Sequence, residues 1–495
     1  MKSEILLLCA AVFASFVGCG DSNVPYELGK EYFYCQHSLY KIPKGKYHDY
    51  TKETHMYSPV ANFNGDDHIF FVYQDERRRP TVGHMRPGEE PVFGYIEDDW
   101  YTSFDNSHHT FVIGVDEKGY LHVAGDMHNY PFFTNTEDGN KYQKHHVGQH
   151  CMIWKSDKPL DVTSFSFKGD KKETSFAGTG FTYVRFVNDN EGRLYSTYRA
   201  VGDSETKKRA WGISRYDTEK EEWVGIGGPT GLGEDTFAVF FGNGGEDGDY
   251  SMPLGEASFD LTNRMHAGAG ILSKDVSESE EPSMRHYINN AAYVSSPDLG
   301  HTLERADGTV CKPAMHFEKE CDEKRADIVI TKEFLALPVT LRGTVFGYPT
   351  MQISATGPEG KVDGITWFCS PPENYNSCTD KGWECYHNEN ITGSFHRQFL
   401  NDAVGLLTLL DGGWLWRMWD PKEMHRVSSG GLFGTIKPCQ KYTYETGNIL
   451  GMTTKYGEDE DSLHIVRAVV AGRPMEYPKP PKLPVEGYHE TTTYQ

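Results

Sequence analysis

Beyond residue 19 the chain contains no apolar run long enough to cross a bilayer, because its hydrophobic stretches are strand-sized and broken by charges or glycine. Long amphipathic helical periodicity is missing too, which argues against a helical bundle. Basic side chains are in short supply: 49 Lys and Arg stand against 71 Asp and Glu, a formal net charge of −22. General nucleic-acid binding, which needs clustered Lys and Arg on phosphates, is therefore not expected. A locally positive cleft for a polyanion is still compatible with this balance, since salt screens charges beyond a Debye length of roughly 8 Å.

Turn-formers and aromatics are plentiful. The 51 glycines, 25 prolines and 13% aromatic residues fit many short strands joined by turns. About seven strand–turn–strand units recur between residues 55 and 473, among them HHTFVIGVDEKGYLHVAGDMHN, TYVRFVNDNEGRLYSTYRA and AVGLLTLLDGGWLWRMWD. The expected fold is all-β, a seven-bladed β-propeller over 55–473, whose radial sheets leave only short edges. Ser296-Pro297-Asp298-Leu299-Gly300-His301-Thr302-Leu303 fits the Asp-box pattern of sialidase-like propellers, with Leu303 in place of the final tryptophan. Its Asp side chain and Gly backbone cap a hairpin turn, an architectural role. Residues 20–54 are expected as an N-terminal extension and 474–495 as a proline-rich strap or tail.

Residues 1–19, MKSEILLLCAAVFASFVGC, read as a signal peptide, with an apolar stretch from Ile5 to Val17 too short to span a membrane. Export is the expectation. Gly18-Cys19 also resembles a bacterial lipobox, which would anchor the chain at the cell surface through Cys19. Eight cysteines remain outside the leader, an even number that favours disulfides in an exported chain, with connectivity open. A staple would be useful where Cys369, Cys378 and Cys385 crowd one loop-like stretch.

Two residue pairs carry the chemistry. His108 and His128 are twenty apart across one strand, turn and strand, and Tyr183 and Arg199 are sixteen apart across another, with its turn at Asn190-Glu191-Gly192. A hairpin returns its ends to one edge of the sheet, so each pair can converge there. Four such side chains together point to catalysis more than to structure.

The stretches Asp105–Pro131 and Tyr183–Arg199 resemble the ulvan lyases of polysaccharide lyase families 24 and 25, nearer to family 25. The blocks Tyr183 to Phe186 and Ser196 to Arg199, and Ala306 to Gly308 after the Asp box, carry the same resemblance over most of the chain beyond the leader. One departure stands out. Where the family usually has His-Asn, this chain has His108-His109; the spacing to His128 favours His108, and adjacent strand residues face opposite ways.

The resemblance implies a secreted lyase that removes the C5 proton of a uronate and expels the group on C4. Arg199, with a planar fork matched to carboxylate, is expected to neutralise the substrate's charge, with His128 as second donor. His108 is expected as base, and Tyr183 as the acid on the departing oxygen, or as base when the leaving group lies on the same face. Tyr250, Arg185 and His109 are expected to contact substrate, and Arg77, Arg78 and Arg79 are further candidates for sulfate. The family also has a structural zinc, and His266, Cys311, His316 and Cys321 are expected as its ligands here. A Cys311–Cys321 disulfide is the alternative use of those thiols.

The expected partner is an anionic, ulvan-like polysaccharide, with no nucleic acid, no membrane span and a monomeric chain. A sialidase-like glycoside hydrolase is the first alternative, weakened because neither a carboxylate pair nor an arginine triad with a tyrosine nucleophile is evident. A catalytically silent carbohydrate-binding propeller is the other.

Overall fold

The computed structural model describes residues 33–48, 59–96, 111–125, 152–170, 174, 181–201, 209–229, 237–242, 250–259, 263–274, 286–316, 321–331, 340–347, 350–356, 365–372, 374–379, 383–387, 397–401, 405–410, 413–417, 424–427, 437–446, 449–454, 456, 459 and 461–471. The regular structure among these residues is strand apart from the helix Gln440–Thr446. Seven sheets of four or more strands stand among the described residues, and in six of them successive strands pair antiparallel with the next. Sheet one runs Val60–Phe63, His68–Gln74, Pro80–Met85 and Val92–Tyr95; sheet two runs Phe111–Val115, Leu121–Gly125, Ile153–Ser156 and Phe165–Phe167. Sheet three has Phe181–Asn188, Leu194–Val201, Arg209–Asp217 and Glu222–Ile226, with Phe240–Gly242 added along its third strand. Sheet four is built on Tyr250–Phe259, Met265–Lys274 and His286–Ser296, sheet five starts at Thr340–Gly347, and sheet six at Arg397–Asn401.

Sheet seven joins the two ends of the described chain. Phe33–Ile42 pairs antiparallel with Leu463–Ala471, which continues to Ile449–Thr453 and Lys437–Pro438. The stretch 20–54, expected as an extension, therefore contributes a sheet strand. An outermost strand with free N–H and C=O groups gains a full ladder this way.

Burial explains why these segments are strands. Phe111–Val115 and Leu121–Gly125 are buried at every position, as a sheet covered on both faces requires. The apolar clusters lie between successive sheets. Phe70, Val72 and Val82 of sheet one meet Val112, Leu121 and Trp154 of sheet two and Val184, Leu194 and Tyr198 of sheet three in one cluster. Trp211 and Phe240 of sheet three join Ala267 and Val294 of sheet four in another, and Tyr442, Leu450 and Ile465 join Val60 and Phe71 in a third.

The turns repeat one device. Asp116 accepts the backbone N–H of Lys118 at 2.9 Å and of Tyr120 at 3.0 Å, and Asp189 accepts those of Glu191 and Arg193 at 3.0 and 2.9 Å. Each carboxylate thus satisfies two turn donors. The fourth turn position has positive φ, +84° at Gly119 and +89° at Gly192. The Asp box is formed as its sequence implies, with Thr302 N–H and Oγ1–H both donating to Asp298 at 2.7 Å and Gly300 N–H donating to Ser296 Oγ at 2.8 Å.

Beside the first of these turns, His122 and Asp116 form a buried pair, Nε2 to Oδ2 3.0 Å, each 1% exposed. Burial lowers the imidazole pKa below its ordinary 6.5 despite the hydrogen bond that Asp116 accepts from it, which opposes the shift. The folded state therefore binds fewer protons than the unfolded chain in that window. Its contribution is full above pH 6.5 and is lost as pH falls through the lowered folded value. His122→Gln should flatten the fall of Tm on acidification below pH 6.5; a slope identical to wild type would remove His122 as a source of acid lability.

Gly192 offers a cleaner test of backbone conformation, because a Cβ there would meet nothing closer than 3.7 Å. Gly192→Ala should cost about 1–2 kcal/mol from its left-handed φ alone, measured by denaturant unfolding.

Candidate active site

The first-to-second-strand turns carry side-chain ties, from sheet one to a short helix and from sheet three to sheets two and four. Glu445, on the helix Gln440–Thr446, accepts Asn62 Nδ2 at 2.7 Å and Gly65 N–H at 3.1 Å, and Tyr442 Oη donates to Asp66 at 2.7 Å. In the same region Asn188 Nδ2 donates to Val115 O at 2.7 Å, and Asn190 N–H donates to Asn263 Oδ1 at 2.9 Å. Asn188 and Val115 end strands of their sheets, Asn62 stands one residue before the end of Val60–Phe63, and Asn263 lies in the turn of sheet four. The first strands consequently begin at the other end, where Phe111, Phe181 and Tyr250 stand.

Tyr183 and Arg199 lie at that other end. The ladder pairs Thr182 with Arg199 and Arg185 with Thr197, so Tyr183 and Val184 oppose the single residue Tyr198 in a β-bulge. Tyr183 takes φ +56°, unusual for an aromatic residue. The guanidinium carbon of Arg199 sits over the Tyr183 ring at 4.5 Å from its centroid. Cation and ring hold one another in a site where Arg199 is only 6% exposed. Behind Arg199 the register sets Trp211, whose ring stacks on Phe240 at 5.7 Å. Tyr198 points to the opposite face and hydrogen-bonds Ser214 at 2.9 Å. Bulges and residues with positive φ gather at functional sites because they re-aim side chains. Sequence reading missed this bulge, since nothing in FTYVRFVN announces an extra residue.

Arg185, half-buried, opposes Thr197 and therefore shares the Arg199 face, diagonal to it at roughly 7–8 Å between backbones. Tyr250 begins the first strand of sheet four and pairs with Lys274. His108, His109 and His128 lie outside the described residues; their neighbours Phe111 and Gly125 are paired at the same strand ends. Of the arginines considered for sulfate, Arg79 is bound to Asp75 at 2.8 Å and lies over Tyr95 at 4.0 Å, while Arg78 Nε donates to His48 at 3.1 Å.

The expected zinc ligands are not assembled. Cys321 is bonded to Cys378, with Cα atoms 5.4 Å apart, which corrects both the ligand assignment and the Cys311–Cys321 alternative. Cys311 is a buried free thiol whose pKa burial pushes up to about 11. His266 Nδ1 meets Tyr293 Oη at 2.7 Å, and His316 Nε2 meets Asp322 at 3.0 Å. Among the described residues, no group of three or more His, Cys, Asp or Glu is placed to hold a metal ion. The disulfide is instead packed by Arg305, 1% exposed, whose Nη1 lies 3.4 Å from each sulfur and whose Nε donates to Arg325 O at 3.0 Å. The physical reason for the error is separation: the true partner is 57 residues away. Sheet five also sets Cys369 opposite Cys385 in register.

Cys321→Ser or Cys378→Ser should lower stability by about 2–4 kcal/mol. Peptide mapping of the intact protein should recover a Cys321–Cys378 bridge, with Cys311 alkylated only after unfolding.

A model of a BNR repeat-containing family matches residues 68–335, which is 268 of the 495 residues. No curated protein matches the chain. Among solved structures, it is similar to a polysaccharide lyase at 12% identity and TM-score 0.57, covering 90% of this chain and 94% of that one. An ulvan lyase of polysaccharide lyase family 25 follows at 11% identity and TM-score 0.54, covering 88% and 98%. The same kind of enzyme bound to a GlcA(1-4)Rha3S repeat gives 11% and 0.53 over the same shares. At these identities the likeness is one of fold.

Proposed function

This chain belongs to the family of BNR repeat-containing proteins, and from that premise we propose that it is a secreted polysaccharide lyase acting on a uronate-bearing, sulfated polysaccharide such as ulvan. The scaffold in this reading is a seven-bladed propeller, supported by seven successive sheets and by the pairing of Phe33–Ile42 with Leu463–Ala471. The observation that carries the activity is the Arg199 guanidinium held over the Tyr183 ring at the open strand ends. The fold shared with ulvan lyases adds to it.

The reaction follows from substrate chemistry. A carboxylate anion makes the neighbouring C5–H hard to ionise, so its charge must be met by a fixed cation. Arg199 supplies that cation in a largely buried setting, where it acts more strongly than in water. His128 is the second donor, and His108 takes the C5 proton; Tyr183 protonates the oxygen leaving C4, or acts as base when that group lies on its face. The C5–H electron pair becomes the C4–C5 double bond as the C4–O bond breaks. Arg185, on the same face as Arg199, suits a second anionic group of the polymer, and Tyr250 and His109 line the cleft.

Ulvan incubated with the protein should gain ultraviolet absorbance while its fragments shorten. Hydrolysis would shorten the polymer without absorbance, and a binding protein would leave its length unchanged; either result sinks the lyase reading. Arg199→Ala and Tyr183→Phe should each lower turnover about a hundredfold or more with the fold intact. His108→Asn should abolish turnover while His109→Asn is tolerated, and the reverse would exchange their roles.

A further inference from the structure

Sheet five sets two cysteines directly against one another. In its third and fourth strands, Ile365–Ser370 and Glu384–His387, the antiparallel ladder pairs Cys369 with Cys385, between the pairs Phe368 with Tyr386 and Ser370 with Glu384. Directly opposed residues of such a ladder stand on one face of the sheet with Cα atoms about 4.5 or 5.5 Å apart, and either spacing lies within the roughly 4.4–6.8 Å that a disulfide spans. The other cysteines of the described segments have different surroundings. Cys321 and Cys378 are bonded to each other, the Cys311 thiol lies 3.6 Å from Thr309 O, the Cys439 thiol lies 3.3 Å from Asn62 Oδ1, and Cys35 stands opposite Val469. The Cys321–Cys378 bond already requires an oxidising setting, and the same setting acts on Cys369 and Cys385.

The chain between these two cysteines connects sheet five to sheet four. Tyr375 Oη donates to Asp327, Ser377 N–H donates to Asp307 at 2.7 Å, Arg325 Nη1 donates to Ser377 O at 2.9 Å, and the Trp383 ring meets Tyr293 at 5.0 Å. Tyr293 and Asp327 are paired strand residues of sheet four. Cys378 lies within the same stretch and ties it to Cys321. The connector is therefore fixed to sheet four along its middle, while its two ends leave from adjacent strands of sheet five.

We propose that Cys369 and Cys385 form a second disulfide, a cross-strand bridge that closes residues 370–384 into a covalent loop. Its formation removes two electrons and two protons from the thiols, and an oxidised thiol–disulfide oxidoreductase receives them. The thiolate of one cysteine attacks that enzyme's disulfide, making a mixed disulfide and expelling one of its thiolates. The thiolate of the other cysteine then attacks the first cysteine's sulfur, closing the bond and expelling the second, so the oxidant ends as a dithiol. Glu384–His387 is the outermost strand of its sheet, and a covalent rung keeps such a short edge from fraying. Two bridges then hold the connector, one at its base in sheet five and one from its middle to sheet four.

The test takes full-length protein in which the Cys321–Cys378 bridge is intact, alkylates it in denaturant without reductant, and digests it with trypsin and a glutamate-specific protease. Cleavage after Lys381 parts Cys378 from Cys385, and cleavage after Glu373 parts Cys369 from Cys378. Cys369 and Cys385 should escape alkylation and appear in one linked pair that separates on reduction, distinct from the Cys321–Cys378 pair. Cys369→Ser should expose Cys385 to alkylation and Cys385→Ser should expose Cys369, each with a Tm several degrees lower, and the double variant should fall no further than either. Alkylation of either thiol in the wild-type protein, or its recovery linked to any other cysteine, overturns the proposal, and that measurement stands even if a variant fails to fold.

Discussion

The side-chain ties at the first-to-second turns, sheet one to the helix through Glu445 and Tyr442 and sheet three to sheets two and four through Asn188 and Asn190, are the constraint on which the remaining geometry depends. A twisted sheet has no fixed height relative to its neighbours unless something sets it. Here side-chain bonds from Asn62, Asn188 and Asn263 link one sheet to the next or to the helix, so the sheets share a common base. With that base fixed, the first strands of sheets two, three and four all start at the same level, and side chains from separate sheets can be aimed into one space. The apolar clusters between sheets supply cohesion, while the polar ties supply register.

The open ends obey a different logic. Regular pairing would leave Tyr183 facing as its position in the alternation dictates, but the extra residue between Thr182 and Arg185 breaks that alternation. The left-handed backbone at Tyr183 is tolerated because the neighbouring ladder and the guanidinium of Arg199 over-determine it. Rigid strands on either side then limit how far the pair can drift, the preorganisation that charge-stabilising chemistry requires.

Much of this was legible in the chain. Turn chemistry was the clearest signal: Asp-x-x-Gly at residues 116–119 and 189–192 and the Asp box at 296–303 each form the capped turns their residues imply. Strand alternation located the meanders, and the hairpin spacing put Tyr183 and Arg199 together because antiparallel pairing makes sequence distance predictable. Non-local pairings were not legible. Phe33–Ile42 looked like part of an extension because its partner is more than 400 residues away, and the Cys311, His316 and Cys321 spacing suited a metal while Cys321 was committed to Cys378. The bulge at Tyr183 leaves no mark in composition either, because it substitutes geometry for a special residue.

The pairing of Phe33 with Ala471 and of Ile42 with Leu463 bears on how the chain is made. Synthesis delivers the early strand first, yet the strand that completes its ladder emerges only after six sheets have been produced. Through that interval the early strand must stay unpaired or find a wrong edge, and contacts of such high sequence separation form slowly. The quality of the finished particle thus depends on a strand made late. A chain halted before residue 463 would present an open sheet edge, recognisable to quality-control proteases as an unfinished product.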